Sequence, residues 1–334
     1  VEIPLTAQAL QLEGIEVGVR QSAPDLRVAQ STTRLTPADV VRERGQTLGE
    51  TLEGVEGVSV IQYGPSIAKP VVRGLHSQRI VVMNDGVRQE GQQWGTEHAP
   101  EIDVFGVNEI QVVRGPGSVL YGSDALGGVL RIEPAETPNG RGLGGEAVFN
   151  AFSNNRQFSG SAMVEHGQLN APLLGTVGGR LRVSARRAGD AATSRVNLAN
   201  TGFAEFNLGA ALGAVRPWGG IEGSYSRFDT EIGLFKGAHV GNFDDLLRAM
   251  DRGPVPTEFG YDIENPRQMV THDAFRLRSH LHTGSAGTLE TTLAYQLNRR
   301  REFDNHGPLA NRTRAAFGLD LHTYTVESRL EHAP

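Results

Sequence analysis

The chain has 334 residues, room for one large or two medium domains, and its 32 Lys and Arg against 38 Asp and Glu give a formal charge of −6. That balance offers no electrostatic reason to expect nucleic acid as a partner. The absence of cysteine excludes a disulfide framework, a thiolate nucleophile and thiolate metal sites. Hydrophobic residues make up 38% and Gly 42 of the 334 positions, a mixture that fits disorder, a solenoid or a β-structure wetted on one face, and the lack of any low-complexity tract argues against disorder. No charged-then-apolar leader precedes Val1, so a processed or trimmed form is expected. Uninterrupted apolar runs are no longer than about Ile80-Val81-Val82-Met83, too short for a bilayer-spanning helix. A place in a membrane would therefore require a barrel.

From Leu35 to Ile132 the chain reads as a small mixed α/β domain. Thr36-Pro37-Ala38-Asp39 predicts a helix start, with Thr as N-cap, Pro in the first turn and an acid at the third position. Thr47-Leu48-Gly49-Glu50 reads as a capping box for a second helix, with Leu48 and Leu52 on one face. Strands are predicted at Val58–Ile61, Pro70–Arg73, Ile80–Met83, Glu109–Val113 and Val129–Ile132. Asn84-Asp85-Gly86 suits a tight hairpin turn, because these residues tolerate positive φ.

Past about Gly144 the pattern changes to long strands of period two. Leu181, Val183 and Ala185 alternate with Arg180, Arg182, Ser184 and Arg186. Phe206, Leu208, Ala210 and Leu212 alternate with Glu205, Asn207 and Gly209, and Phe275, Leu277 and Leu281 with Arg276, Arg278, His280 and His282. The phase slips after Leu321. Several runs persist for about ten residues, the length of a tilted transmembrane strand rather than of a sandwich strand. Connections alternate between short (Gly284–Gly287, Val215–Trp218) and long (Gly189–Gly202, Gly233–Gln268), as on the two rims of an outer-membrane barrel. About eight strands fit before Pro334, and a closed barrel that small has no room for the preceding domain. Part of a larger barrel, with the remaining strands missing, is the expected resolution.

The run Val112-Val113-Arg114-Gly115-Pro116-Gly117-Ser118-Val119-Leu120-Tyr121-Gly122-Ser123-Asp124-Ala125-Leu126-Gly127-Gly128-Val129 resembles the closing plug motif of TonB-dependent outer-membrane receptors. Leu52–Val60, Val72-Arg73-Gly74 and Val82–Val87 resemble earlier landmarks of the same plug, in the same order. The resemblance implies an α+β plug domain followed by antiparallel transmembrane β-barrel strands, about eight of an expected 22. Residues 1–12 would be the tail of a preceding small β-domain or a linker, 13–30 the TonB-box region and linker, 31–135 the plug, and 144–334 the N-terminal part of the barrel. It implies active import of a scarce nutrient (a metal, metal chelate, siderophore or haem), powered by the TonB protein of the inner-membrane complex, in contact with outer-membrane lipid. A non-transporting adhesin or signal transducer of the same fold is the alternative.

The candidate TonB box is Glu13, Gly14, Ile15, Glu16, Val17, Gly18 and Val19, an extended stretch able to add a strand to a partner's sheet. Arg73 and Arg114 are candidates for contacts between plug and barrel wall. Between Gly86 and Glu109, the stretch placed at the outward plug apex, Trp94, Glu97, His98, Glu101 and Asp103 are candidate substrate contacts. Trp94 offers a stacking surface and the others an N/O donor set for a divalent metal. His239, Asp244 and Asp245 on the long loop would close over them, and Asp244 to Met250 reads as helical. No bound cofactor is expected. No Gly-x-Ser-x-Gly elbow or His-Glu-x-x-His occurs, so a hydrolase reading has neither nucleophile nor metal site.

Overall fold

The computed structural model describes residues 31–95, 97–114, 121–237, 243–252, 257–304 and 313–332. The candidate box at 13–19, Gly115 and Gly117 of the glycine-rich motif, and His239 lie outside the described residues.

The first part runs β1 (Ser31–Leu35), α1 (Pro37–Glu43), α2 (Leu48–Thr51), β2 (Val58–Gln62), β3 (Ala68–Val72), β4 (Ile80–Asn84), β5 (Val87–Arg88), β6 (Val107–Arg114) and β7 (Gly128–Pro134). Thr36 caps α1 as a full capping box, its hydroxyl accepting from Asp39 N and the Asp39 carboxylate from Thr36 N. At α2 only half of the expected box forms. Thr47 accepts from Glu50 N, but the Glu50 side chain takes the backbone N–H of Gln46 instead. α2 is a single turn, and its Leu48, with the neighbouring Leu52, is buried as the periodicity predicts.

The order β1-β6-β7-β4-β5 makes a five-stranded sheet in which β4 and β7 run parallel and the other pairs antiparallel; β2 and β3 form a separate hairpin. Leu52, Val72, Ile110, Val112, Leu130 and Ile132 are at the centre of the core under the two helices. Asp85 and Gly86 join β4 to β5 with φ of 54° and 77°, the backbone that a two-residue hairpin with a type I′ turn requires.

The second part is a wall of eight long strands: β8 (Gly142–Phe152), β9 (Gln157–Ala171), β10 (Gly175–Ala188), β13 (Phe203–Arg216), β14 (Gly219–Gly233), β15 (Arg267–His282), β16 (Thr288–Phe303) and β17 (Phe317–Glu331). Two-residue strands β11 (Ala191–Ala192) and β12 (Asn197–Leu198) pair within the β10–β13 connection, and α3 (Phe243–Arg252) lies within the β14–β15 connection. Neighbours are antiparallel throughout, in the order β17-β16-β15-β14-β13-β10-β9-β8, and the two end strands do not pair with each other. Connections at 172–174, 217–218 and 283–287 are short and share one rim, while 189–202, 234–266 and 304–316 on the other are long.

The wall is apolar outside and polar inside. Phe149, Leu212, Tyr324 and Val326 are 71–78% exposed on the outer face, whereas Asn207, Gln268 and Arg300 on the inner face are 1–2% exposed. A soluble sandwich would bury the first set and wet the second; a membrane barrel does the reverse. The slip after Leu321 is a change of face without a bulge. β17 holds its register against β16 throughout, but Leu319 and Leu321 point inward while Tyr324, Val326 and Leu330 point outward.

Candidate functional site at the plug–wall interface

Period two delivers donors from the wall to the plug at successive inward positions. On β15, Arg276 pairs with Asp85 in the β4–β5 turn, gives Nη1 to the Asp85 carbonyl at 2.7 Å, and gives Nη2 to Glu222 Oε1 at 2.8 Å. Two residues on, Arg278 Nη2 donates to the same carbonyl at 3.1 Å. On β16, Gln296 Nε2 donates to Arg88 O at 2.9 Å. Arg300 gives Nη2 to Glu101 Oε1 at 2.7 Å and Nη1 to Gln268 Oε1 at 2.9 Å. Glu302 Oε1 lies 2.8 Å from His98 Nε2. On β10, Arg186 donates to the Gln46 carbonyl and pairs with Glu205.

Glu101 is the most enclosed of the plug acids, with a side chain 4% exposed against 2% for Arg300. Burial alone would push its carboxyl up, but His272 and the Arg300 charge outweigh that and hold it below the ordinary carboxylate range. Asp103, which accepts from Phe105 N at 3.0 Å, goes the other way. Burial raises it, and the Arg186 charge offsets only part of the rise. Lys69 on β3 is fully buried, with Nζ donating to Ser77 Oγ at 2.9 Å and to the Gly95 carbonyl. Burial brings it down to about 8, against the opposing pull of Glu97. A cavity of about 380 Å³ separates plug from wall beside these contacts, lined by Arg44, Asp85, Asp103, Arg182, Asn207 and Arg276 among others. Arg44 Nε and Asn207 Oδ1 are buried without a protein partner, as suits a hydrated chamber.

The candidate substrate contacts do not form one donor set. His98 and Glu101 are 6% exposed and face Glu302 and Arg300 of the wall, and Asp103 points towards the Arg182 and Arg186 side of the interface. Among the described residues, no group of three or more His, Asp or Glu converges as a metal site. Trp94 keeps 41% exposure and stands edge-on to His98, with ring centroids 6.2 Å apart. Glu97 lies beside Gly95. Asp244, which is exposed, and Asp245 both belong to α3.

The two plug arginines make no described contact with these eight wall strands. Arg114 donates to Ser31 O, Glu56 O and Thr33 Oγ1, so it ties β1 and the β2 approach to the end of β6 within the plug. Arg73 is exposed at the end of β3, with φ 51° and its backbone N–H on Gly57 O. Across the interface the arginines belong to the wall and meet acids and carbonyls of the plug, while one contact has the reverse polarity, with Glu302 of the wall on His98 of the plug. The signal was present in the alternation of Arg180, Arg182, Arg186, Arg276 and Arg278, which sets a row of donors on the one face of the wall that can meet the plug.

Glycine provides the second feature of the interface. Gly142, Gly167, Gly178 and Gly213 lie opposite one another across β8, β9, β10 and β13. The segment 135–141 leaving the plug runs over this row. A Cβ at Gly178 would overlap the Pro138 carbonyl, one at Gly167 the Gly140 carbonyl, and one at Gly213 would press on Thr137. Thr137 Oγ1 donates to Glu222 Oε2 at 2.9 Å, and Arg180 clamps the Ala135 and Glu136 carbonyls, each at 2.6 Å.

A plug held by buried ion pairs against the polar inner face of a lipid-type wall defines a class of protein, a plugged barrel receptor. Residues 24–129 match the family model described as "TonB-dependent Receptor Plug Domain", so this part of the chain is a plug of that kind. The vitamin B12 transporter BtuB of Photobacterium profundum is 33% identical over 120 residues, covering 36% of this chain and 20% of the relative. BtuB of Vibrio vulnificus is 30% identical over 155 residues, covering 44% and 25%. Among solved structures, a variant of the ferric enterobactin receptor PfeA from Pseudomonas aeruginosa in complex with enterobactin aligns over 90% of this chain and 46% of its own, with a TM-score of 0.63 at 13% identity. The Serratia marcescens hemophore receptor HasR, a double mutant in complex with the hemophore HasA and heme, aligns over 83% and 39%, with a TM-score of 0.63 at 17% identity. The chain thus matches a quarter or less of the length of these curated relatives and under half of these solved chains.

Proposed function

We propose that this chain is the plug and opening barrel strands of an outer-membrane receptor that binds a scarce nutrient and imports it with energy from the TonB complex. The observation that carries this reading is the inverted wall, apolar to the outside, whose inward arginines grip the acids and carbonyls of the plug. A plug fixed by a small number of specific ion pairs and a hydrated seam is a closed gate that can be displaced. A receptor serving only adhesion has no use for that arrangement.

For the cargo, the reading favours a bulky metal complex over a bare ion. His98, Glu101 and Asp103 of the apex are engaged by the wall, which leaves the exposed face of Trp94 as an aromatic contact of the sort that holds a large ligand. The named relatives, receptors for vitamin B12, ferric enterobactin and a heme-carrying hemophore, fall within this range. The stretch Glu13 to Val19 is the proposed TonB-binding box, acting by strand addition.

The test is uptake of labelled cobalamin, ferric catecholate and haem by cells expressing the intact receptor, with and without the proton gradient. At least one cargo should accumulate only with the gradient. Ile15→Pro, which removes a backbone donor and fixes φ, should abolish uptake while leaving binding intact. Binding without energised uptake of any cargo would support the adhesin or transducer alternative. Unchanged uptake by the variant would place the box elsewhere.

A further inference from the structure

The sequence contains a single Asn-Gly pair, Asn139-Gly140, and it falls in the segment 135–141 that carries the chain from plug to wall. The segment is pinned around this pair. Arg180 holds the Ala135 and Glu136 carbonyls, Thr137 is bonded to Glu222, and the Pro138 and Gly140 carbonyls lie close against Gly178 and Gly167. The reacting groups of the pair are themselves free. Asn139 and Gly140 are exposed, and among the described residues neither the Asn139 amide nor the Gly140 N–H takes part in a hydrogen bond. A Cβ at Gly140 would meet nothing within 4 Å, and its φ lies outside the left-handed region. Asp85-Gly86 is the contrast: its carboxylate is paired with Arg276, and its backbone is fixed in a turn with Asp85 N on Ile132 O.

An asparagine side chain and the next backbone nitrogen can close a ring. The Gly140 nitrogen bonds to Cγ of Asn139, the Cγ–Nδ2 bond breaks, and ammonia leaves with the proton from Gly140. Water then opens the succinimide at either of its carbonyls, giving aspartate or isoaspartate. A side chain on the following residue hinders the attack, and glycine has none. Hydrogen bonds to either group hold an asparagine away from the ring-closing geometry, and here both groups lack them.

We infer that Asn139 is a site of spontaneous deamidation, which converts the crossing between plug and wall into a charged and loosened form. Asn139 lines a cavity of about 480 Å³ between plug and wall, whose lining holds six Glu and three Arg. The new carboxylate therefore meets mainly like charge. The isoaspartate product also routes the main chain through the side-chain carbon, one methylene longer. The carbonyls of Pro138 and Gly140 then cannot both keep their places on Gly178 and Gly167. Arg180 restrains the reaction, because a clamped segment seldom reaches the ring-closing geometry.

The test incubates the intact receptor in nanodiscs at neutral and at mildly alkaline pH, and follows Asn139 by peptide mass spectrometry. Digestion at acid pH in isotopically heavy water separates conversion in the folded receptor from conversion during work-up, and enzymatic methylation identifies isoaspartate. Asn139 should convert faster than Asn154, whose amide oxygen and nitrogen are both bonded to Ala192. Conversion should quicken at the higher pH, because the attacking nitrogen must lose its proton. Gly140→Ala should slow it several-fold in a receptor that still folds, since the added methyl group has open space. Arg180→Gln should speed it, and Asn139→Asp should make proteolysis near Glu136 faster. Heat-modifiable migration on gels establishes that each variant barrel is folded, and none of these readouts depends on cargo or on TonB. Equal conversion in Gly140→Ala, or an Asn139 amide that outlasts that of Asn154, overturns the site. An unchanged rate in Arg180→Gln overturns the restraint, and unchanged cleavage in Asn139→Asp overturns the loosening by charge.

Discussion

Arg300 and Glu101 show what a single contact contributes between plug and wall. Both are almost fully buried, so their mutual attraction is set against the desolvation of two charges, and the pair as a whole adds little net stability. Breaking it from one side is different, because an uncompensated charge remains. Arg300→Met is expected to weaken plug seating by about 3–5 kcal/mol. Arg300→Met with Glu101→Gln should recover much of that, so the double-mutant cycle should give a coupling above about 1 kcal/mol. Urea-induced plug release from the intact receptor, followed by protease access, measures both; additive losses would show that the pair is not coupled.

Lys69 gives a pH signature at the same scale. Its folded pKa is about 8 against 10.5 for the free side chain, so between these values the unfolded chain holds more protons than the folded one. Stability from this group is therefore full above 10.5, rises with pH between 8 and 10.5, and is lost as pH falls through 8. The Lys69→Met variant should lack that rise. The thermal midpoint of the plug from pH 7 to 10.5, compared between wild type and variant, checks this, and parallel curves would refute it.

At the scale of elements, the glycine row explains how the chain passes from plug to wall. Segment 135–141 lies flat on the inner face because Gly167, Gly178 and Gly213 present no side chain where its backbone passes. Gly178→Val, which suits a strand by propensity, is expected to displace the segment and break the Arg180 clamp on Ala135 and Glu136. The barrel strands should still form, while proteolysis near Glu136 should become several-fold faster; unchanged cleavage would show that the crossing tolerates a side chain there. Sequence reasoning marked the wall strands and short turns correctly, because period-two alternation is a local property. It could not find the row, since glycines at 142, 167, 178 and 213 become neighbours only once four registers are set.

For the whole molecule, the decisive relation is between two surfaces of one wall. The inner surface holds the plug with arginines at alternate positions, and the outer surface carries the exposed apolar set of Phe149, Leu212 and Val326. Both come from the same alternation, so a shift of register by one residue would turn the apolar set and the plug-binding arginines to the wrong sides together. The plug is thus held by interactions that depend on the wall being correctly paired.

The sequence by itself determined the class of fold, the capping of α1, the tight turn at Asn84-Asp85-Gly86, and the long alternating strands. These are encoded by residues near each other in the chain, through steric preference at φ, side-chain capping and the two-residue period. Only the tertiary structure decided what the polar residues do. Glu101, His98 and Asp103 read as a ligand set because they are close in sequence, yet each faces a wall residue well over seventy positions away. A donor set depends on where side chains converge, and here convergence is set by how plug and wall dock, which no local pattern records.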